Sequence, residues 1–249
     1  MGRRLLAAYA PLAMLLGLGS LGLACLLWLP FAMVLHPLLP RRWGQPLGRR
    51  VITTTLRGYL GFLTLFCGFR FDLAALDRLR DEPSLVLVAN HPSLLDAVMI
   101  LSRLPNVVCV MKASLMDNIL FGAAARLARY IRNDAPLKLV HDARDELRRG
   151  AHLLIFPEGT RTTAFPINPC TSGAGLIAGR SKVPIQSLLI EFSTPYLGKA
   201  WPLLRPPQLP QRFSIRVGRR FAPPTKAGAF AGELEQYFRD ELTPTATVS

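Results

Sequence analysis

Acidic residues are scarce in this chain. Sixteen Asp and Glu stand against 30 Lys and Arg, giving a formal net charge of +14 and a pI near 10.6. Such an excess calls for an anionic partner: nucleic acid, anionic lipid or an acidic carrier protein. Nucleic acid is the weakest of the three, because no nucleic-acid motif and no basic stripe interleaved with aromatics is present. Cysteine is also sparse. Cys25, Cys67, Cys109 and Cys170 lie far apart, without the close pairs of a zinc site or redox motif, and read as buried thiols in a reducing compartment. A Gly-x-Ser-x-Gly elbow is missing, which removes support for a serine hydrolase. Charge itself is missing from one long stretch: no Lys, Arg, Asp or Glu lies between Arg4 and Arg41.

That uncharged stretch is the first positive feature. A membrane span takes about 20 apolar residues, so residues 5–39 exceed one straight crossing and also exceed a signal peptide. Pro11, Gly17, Gly19, Gly22 and Pro30 interrupt the run. Two readings stay open: one tilted span with an interfacial end, or two half-helices that dip in and return. Both attach the chain to a membrane. Gly17-Leu-Gly-Ser-Leu-Gly22 fits a dinucleotide-binding pattern, but no soluble strand precedes it, so helix packing is the better reading. Arg41, Arg42, Arg49 and Arg50 outweigh Arg3 and Arg4, which puts the globular part on the cytoplasmic side. Residues 41–50 read as a basic linker on the membrane surface, and 51–71 as an apolar or interfacial helix. The basic bias returns over 201–226, where Arg205, Arg212, Arg216, Arg219, Arg220 and Lys226 occur with no acid; attraction to an anionic leaflet accounts best for the sum.

Beyond residue 75, short apolar runs alternate with amphipathic stretches. Strands are expected at 84–89, 107–111, 152–156, 184–191 and 213–217. Helices are expected at 93–103, 116–129, 136–149, 172–181 and 228–241, with Gly150 as a stop. Strands separated by helices predict an α/β domain with a mixed, largely parallel sheet flanked by helices. The proline-rich stretch 201–212 reads as an irregular excursion, and 243–249 as a frayed tail.

Two strings carry the chemistry: His91-Pro-Ser-Leu-Leu-Asp96 and Phe156-Pro-Glu-Gly-Thr-Arg161. Each follows a buried strand, where open α/β sheets carry their sites. On a regular helix a five-residue offset would separate His91 from Asp96, so they meet only if His91 precedes the helix and the chain bends back. An Asp accepting from one imidazole nitrogen leaves the other free to take a proton. In the second string, Gly159 lets backbone approach a ligand and Arg161 offers a planar fork for phosphate or carboxylate. Glu158 can accept from a substrate hydroxyl or hold that arginine. His141, among Asp142, Asp145 and Glu146, reads instead as a solvated residue on a charge-laced helix. His36 and His152 show no convincing partners.

In this order and spacing the two strings resemble motifs I and III of the glycerolipid acyltransferases, the family of bacterial 1-acyl-glycerol-3-phosphate acyltransferases. The resemblance covers roughly residues 84–221. It implies that His91 is the base on the acceptor hydroxyl, that Asp96 is its partner, and that Glu158, Gly159, Thr160 and Arg161 bind the acceptor. It places Pro184 in a fourth motif on a strand lining the site and Arg132 in a second motif, where Arg129 stands at the usual glycine. Thr171 and Ser172 stand where a basic residue is common before Gly173-Ala174.

The resemblance further implies an acyltransferase domain over 76–242 behind a membrane-anchoring segment over 1–40, at the inner membrane. Its substrates would be a lysophospholipid acceptor of the lysophosphatidic acid type and acyl-CoA or acyl-carrier protein as co-substrate, with no metal or other cofactor and no acyl-enzyme. Backbone N–H groups near the helix after His91 would hold the oxyanion. A non-catalytic membrane-surface protein binding anionic lipid in the same pocket is the alternative from another class.

Overall fold

The computed structural model describes residues 2–243, so most of the expected tail, residues 244–249, lies outside the described residues. The chain opens with two helices, α1 (Gly2–Leu38) and α2 (Arg41–Phe66). Then come β1 (Phe69–Asp72), a 3-10 turn (Ala74–Leu79), β2 (Val86–Ala89), α3 (Leu95–Arg103), β3 (Val107–Met111), α4 (Ala113–Asp117), α5 (Ile119–Leu127) and β4 (Ile131–Arg132). After them follow α6 (Pro136–Arg148), β5 (His152–Ile155), α7 (Gly173–Ser181), β6 (Ile185–Phe192), β7 (Gln211–Phe221) and α8 (Ala227–Leu242). Local chemistry accounts for several boundaries. Pro136 starts α6, where its missing N–H costs nothing. Gly150, at φ 85°, ends that helix in the left-handed region. The Asn118 side chain accepts from the N–H groups of Leu120 and Phe121 and starts α5, so the stretch expected as one helix over 116–129 is two.

The seven strands form one sheet in the order β1-β7-β6-β2-β5-β3-β4. Every neighbouring pair is parallel except β6 and β7. The expected mixed, largely parallel sheet flanked by helices is the observed one. β2 and β5 are buried along their whole length, which matches their unbroken apolar runs. One apolar layer lies between the sheet and α1, α2 and α3; the other lies beneath α6, α7 and α8. The carboxyl ends of β2, β5, β3, β4 and β6 share one edge. Because β7 runs back against β6 and β1 is parallel to β7, the start of β1 and the end of α2 also stand at that edge.

The N-terminal region differs from its sequence expectation. α1 is one continuous helix through Pro11 and Pro30, not two halves, and its 37 residues make it about 55 Å long. Over residues Arg4–Leu38 it is long and apolar enough to cross a membrane, with a mean hydropathy of 2.2 in an 18-residue window. It also touches the domain along most of its length. Tyr9 donates to the Phe66 carbonyl, Ala13 is buried in the core beside α2, and a Cβ on Gly17 would stand 3.0 Å from Leu63. Farther along, Trp28, Leu29, Ala32 and Leu35 pack on Ala123 and Leu127 of α5. The opposite face bares Leu5, Leu12, Leu15, Leu23, Leu27, Phe31 and Val34, a membrane-associating surface.

The linker expected at 41–50 is helical and forms the first turns of α2. The reason is Glu146, buried on α6: Arg49 Nη2 lies 2.6 Å from it, Gln45 donates to it at 2.5 Å, and Arg41 also pairs with it. Two of the four arginines assigned to the membrane surface therefore serve a buried carboxylate. Gly48 permits this approach, since a Cβ there would lie 2.8 Å from the Ala128 amide nitrogen. The helix expected over 51–71 stops at Phe66, and β1 takes the remainder.

Candidate active site

β2 ends at Ala89 and the chain bends before α3. The Asn90 side chain holds the bend: its amide donates to the Ile190 carbonyl at 2.9 Å and its carbonyl accepts from the Ile190 N–H at 2.8 Å. His91 therefore precedes the helix and faces back toward its first turn, as the five-residue offset requires. His91 Nδ1 lies 2.8 Å from Asp96 Oδ2, and that oxygen also accepts the Ser93 N–H at 2.8 Å. Asp96 is fully buried, and its Oδ1 has no partner among the described residues. Burial pushes the Asp96 carboxyl up to about 6, against the pull of the hydrogen bond and charge of His91 and of the Ser93 amide. The His91 ring is 17% exposed and lies flat on Phe156, centroids 3.9 Å apart and planes within 15°.

The second string closes over the first. Phe156 continues β5, and the Gly159 N–H donates back to the Phe156 carbonyl at 3.0 Å, with Gly159 at φ 65° where a side chain would be strained. Thr160 is exposed on this turn. Glu158 turns inward. Its Oε1 accepts the His91 backbone N–H and the Thr162 hydroxyl, both at 2.8 Å, and its Oε2 accepts the Asn168 N–H at 2.9 Å. Burial raises its pKa against these three donors. The expectation that Glu158 meets a substrate hydroxyl or holds Arg161 is corrected: its lone pairs brace the loop that carries the histidine.

Arg161 is held by backbone. Its Nη1 donates to the carbonyls of Leu197 at 2.9 Å and Gly198 at 2.8 Å, which leaves the rest of its fork open. The same segment grips the first string, because the Leu94 N–H donates to the Leu197 carbonyl at 3.0 Å and the Ser93 hydroxyl to the Tyr196 carbonyl at 2.9 Å. Leu197 adopts φ 52°, the left-handed backbone that β-carbon-bearing residues avoid. The residues 196–198 were not legible as part of the site; no charge or motif marks them.

The structure brings His91, Asp96, Glu158, Gly159, Thr160 and Arg161 together and sets two other expected residues apart. Arg132 stands on the same sheet edge at the end of β4, three strand spacings or about 14 Å across from β2. There it pairs with Asp117 at 2.5 Å and Asp134 at 2.8 Å, which together raise its pKa. Pro184 lies at the opposite edge. Val86 pairs with Ile185, so Pro184 is level with Leu85, six residues or about 20 Å before His91 along the strands. Its carbonyl accepts the Val86 N–H at 3.0 Å and starts the pairing of β6 instead of lining the site.

The amides at the start of α3 are also spoken for. Ser93 donates to Asp96, Leu94 to Leu197 and Leu95 to the Ser93 hydroxyl at 3.2 Å, so an oxyanion finds no free donor there. His141 is exposed, 3.8 Å from Asp142 and 3.9 Å from Asp145, as expected of a solvated residue. His152 does have partners: Nδ1 accepts the Leu85 N–H at 3.1 Å and Nε2 donates to the Leu79 carbonyl at 2.9 Å. Its role is structural. All four cysteines are free thiols. An open cleft of about 590 Å³ between α2, β1 and the ends of β6 and β7, lined by Phe71, Phe192, Arg70 and Arg212 among others, contains none of the site residues.

Comparison with known proteins bears on the family and the fold. The acyltransferase family model matches residues 70–191. Human 1-acyl-sn-glycerol-3-phosphate acyltransferase beta is 28% identical over 149 residues, 55% of this chain and 52% of its own. The 1-acyl-sn-glycerol-3-phosphate acyltransferase of Pseudomonas aeruginosa is 24% identical over 204 residues, 80% of this chain and 76% of its own. The chain thus spans about half the length of the human relative. The crystal structure of PlsC, the 1-acyl-sn-glycerophosphate acyltransferase from Thermotoga maritima, superposes with a TM-score of 0.69 over 95% of this chain and 96% of that one, at 16% identity, and so shares the fold. The matched residues, just under half of the chain, run from β1 through β6 and contain both strings of the site, so this segment is similar throughout to the acyltransferase family's domain.

Proposed function

We propose that this protein transfers an acyl chain to the free hydroxyl of a lysophospholipid acceptor of the lysophosphatidic acid type, from acyl-CoA or acyl-carrier protein as co-substrate. The observation that carries the reading is the His91–Asp96 contact at 2.8 Å, with Asp96 buried and His91 at the surface of the site. Asp96 accepts from Nδ1, which fixes the tautomer in which Nε2 is the free base. Nε2 takes the proton of the acceptor hydroxyl as its oxygen attacks the thioester carbon. Collapse of the tetrahedral species expels the thiolate, and the proton on His91 leaves with it. The acceptor is the nucleophile, so no acyl-enzyme forms, and a positioned base of this kind is worth about 10²- to 10⁴-fold. The buried carboxylate stabilises the imidazolium as it forms.

Arg161 supplies the cation for the acceptor's anionic headgroup, since its fork is aimed by two carbonyls and neutralised by no carboxylate among the described residues. Arg132, already shared by two aspartates, flanks the site at longer range.

α1 lies along one leaflet of the inner membrane with the domain on the cytoplasmic side. A spanning helix would hold about 30 Å of its length away from the domain, whereas α1 meets the domain from Tyr9 through Leu35. An acyl-transfer assay with lysophosphatidic acid and both donors, run beside lipid analysis of cells with and without the protein, tests the reading. Loss of transfer in His91→Ala and accumulation of one lyso-species are expected. Full activity in that variant would remove His91 as the base.

A further inference from the structure

The excursion over residues 193–210 leaves β6 and returns as β7, so both its ends stand at the site edge of the sheet. Its first part grips Ser93, Leu94 and Arg161 as described. Its next part is a braced turn. The Arg205 N–H donates to the Pro202 carbonyl at 2.9 Å, and Trp201 Nε1 donates to the Arg205 carbonyl at 3.1 Å. The Arg205 guanidinium lies 4.6 Å over the Trp201 ring, and that ring meets Tyr196 edge-on at 5.8 Å, tying the turn to the core. At its tip Leu203 and Leu204 are 61% and 71% exposed. Single exposed leucines are ordinary, but two in tandem on a turn held by an indole, a proline and a stacked arginine present an apolar tip on a rigid base.

The surroundings say what covers that tip. From Phe192 to Gly232 the chain contains no Asp or Glu, while Lys199 and Arg205 flank the leucines. An apolar tip, an indole behind it and cations at the level of phosphates is the order of groups met on entering an anionic leaflet. The excursion that carries the turn also returns beside the apolar end of α2. Leu209 packs against Gly68, where a Cβ would stand 3.5 Å from it, and Gly68 follows the exposed Leu65 and Phe66 at the end of α2. An acidic carrier protein would be met by the cations alone and would leave both leucines in water.

We propose that the turn 201–205 is a second membrane contact, which inserts Leu203 and Leu204 into an anionic leaflet beside the mouth of the site. Trp201 reports on this directly. In full-length protein with Trp28→Phe and Trp43→Phe, Trp201 is the sole tryptophan. Bound to phosphatidylglycerol vesicles containing brominated lipid, its emission is expected to be strongly quenched, and soluble acyl-carrier protein should leave it unchanged. Leu203→Ser/Leu204→Ser in the same protein should abolish the quenching while α1 keeps the protein on the vesicles. In the otherwise native chain that double substitution should raise the apparent KM for vesicle-embedded acceptor about tenfold, with little change for a micelle-free short-chain acceptor. The quenching does not depend on turnover, so its outcome is separate from that of the acyl-transfer reading. Unquenched Trp201 on vesicles that hold the protein would overturn the proposal, as would a response to the carrier protein in place of lipid.

Discussion

The Glu158 carboxylate accepts the backbone N–H of His91 at 2.8 Å across 67 residues of chain. The two loops of the site are therefore one hydrogen-bonded unit: Glu158 fixes where His91 stands, and the Thr162 N–H returns the contact by donating to the His91 carbonyl at 2.7 Å. Replacing Glu158 by Ala strips an acceptor from three buried donors. The expected result is a stability loss of about 2–4 kcal/mol and a fall in kcat with the acceptor KM little changed. Thermal unfolding and steady-state kinetics on the same variant check both parts.

Arg161→Ala should show the reverse split. A charged hydrogen-bonding group contributes about 1.5–3 kcal/mol, so the acceptor KM is expected to rise about 10- to 100-fold with kcat nearly retained. Arg161→Lys should recover only part, because a point charge cannot reproduce the fork. An unchanged acceptor KM in the alanine variant would take Arg161 out of the binding role.

Asp96→Asn separates catalysis from stability. The folded carboxyl titrates near 6, raised from 3.8 chiefly by burial. The folded chain thus binds more protons than the unfolded one between about pH 4 and 6, and it loses stability as pH rises through that window. The asparagine variant carries no such cost. Its Tm is expected to exceed the wild type's at pH 7 and to approach it near pH 4, while kcat falls by about 10²-fold or more.

His152 acts with the opposite sign. Burial lowers its pKa below the unfolded value of about 6.5, and protonation would also set an N–H against the Leu85 N–H that Nδ1 now accepts. Its contribution is fully present above that unfolded pKa and is lost as the pH falls below it. His152→Gln should flatten this acid limb of the stability curve.

Arg49→Ala should be among the most damaging changes outside the site. It takes from Glu146 its one buried cation and leaves the carboxylate to the half-exposed Arg41 and Arg149 and the Gln45 amide, and breaking such a buried pair costs about 3–5 kcal/mol. Limited proteolysis should then cut first between α2 and the domain.

Much of this was legible beforehand. Unbroken apolar runs marked β2 and β5, and the position of the two strings after them placed the site, because strand ends are where parallel sheets carry function. The offset from His91 to Asp96 already implied the bend that Asn90 and Ser93 make. What sequence could not show were relationships made by distant backbone. Leu197 and Gly198 act through carbonyls, which no residue type advertises. Pro184 looked like a site residue but begins its strand at the far edge, since register and not composition decides which end of a strand faces the chemistry. Residues 41–50 looked like a basic linker on the membrane surface because their partner, Glu146, lies about a hundred positions away.

The packing of α1 against α2 and α5 changes what that helix is. An anchor joined by a flexible tether can be cut away to leave a soluble enzyme. Here Leu63 and Leu127 are buried with α1 packed across them, so removing it would uncover a greasy seam the length of the domain. Detergent requirement and correct assembly should therefore be inseparable in this protein: a version freed of its N-terminal helix would not dissolve but clump.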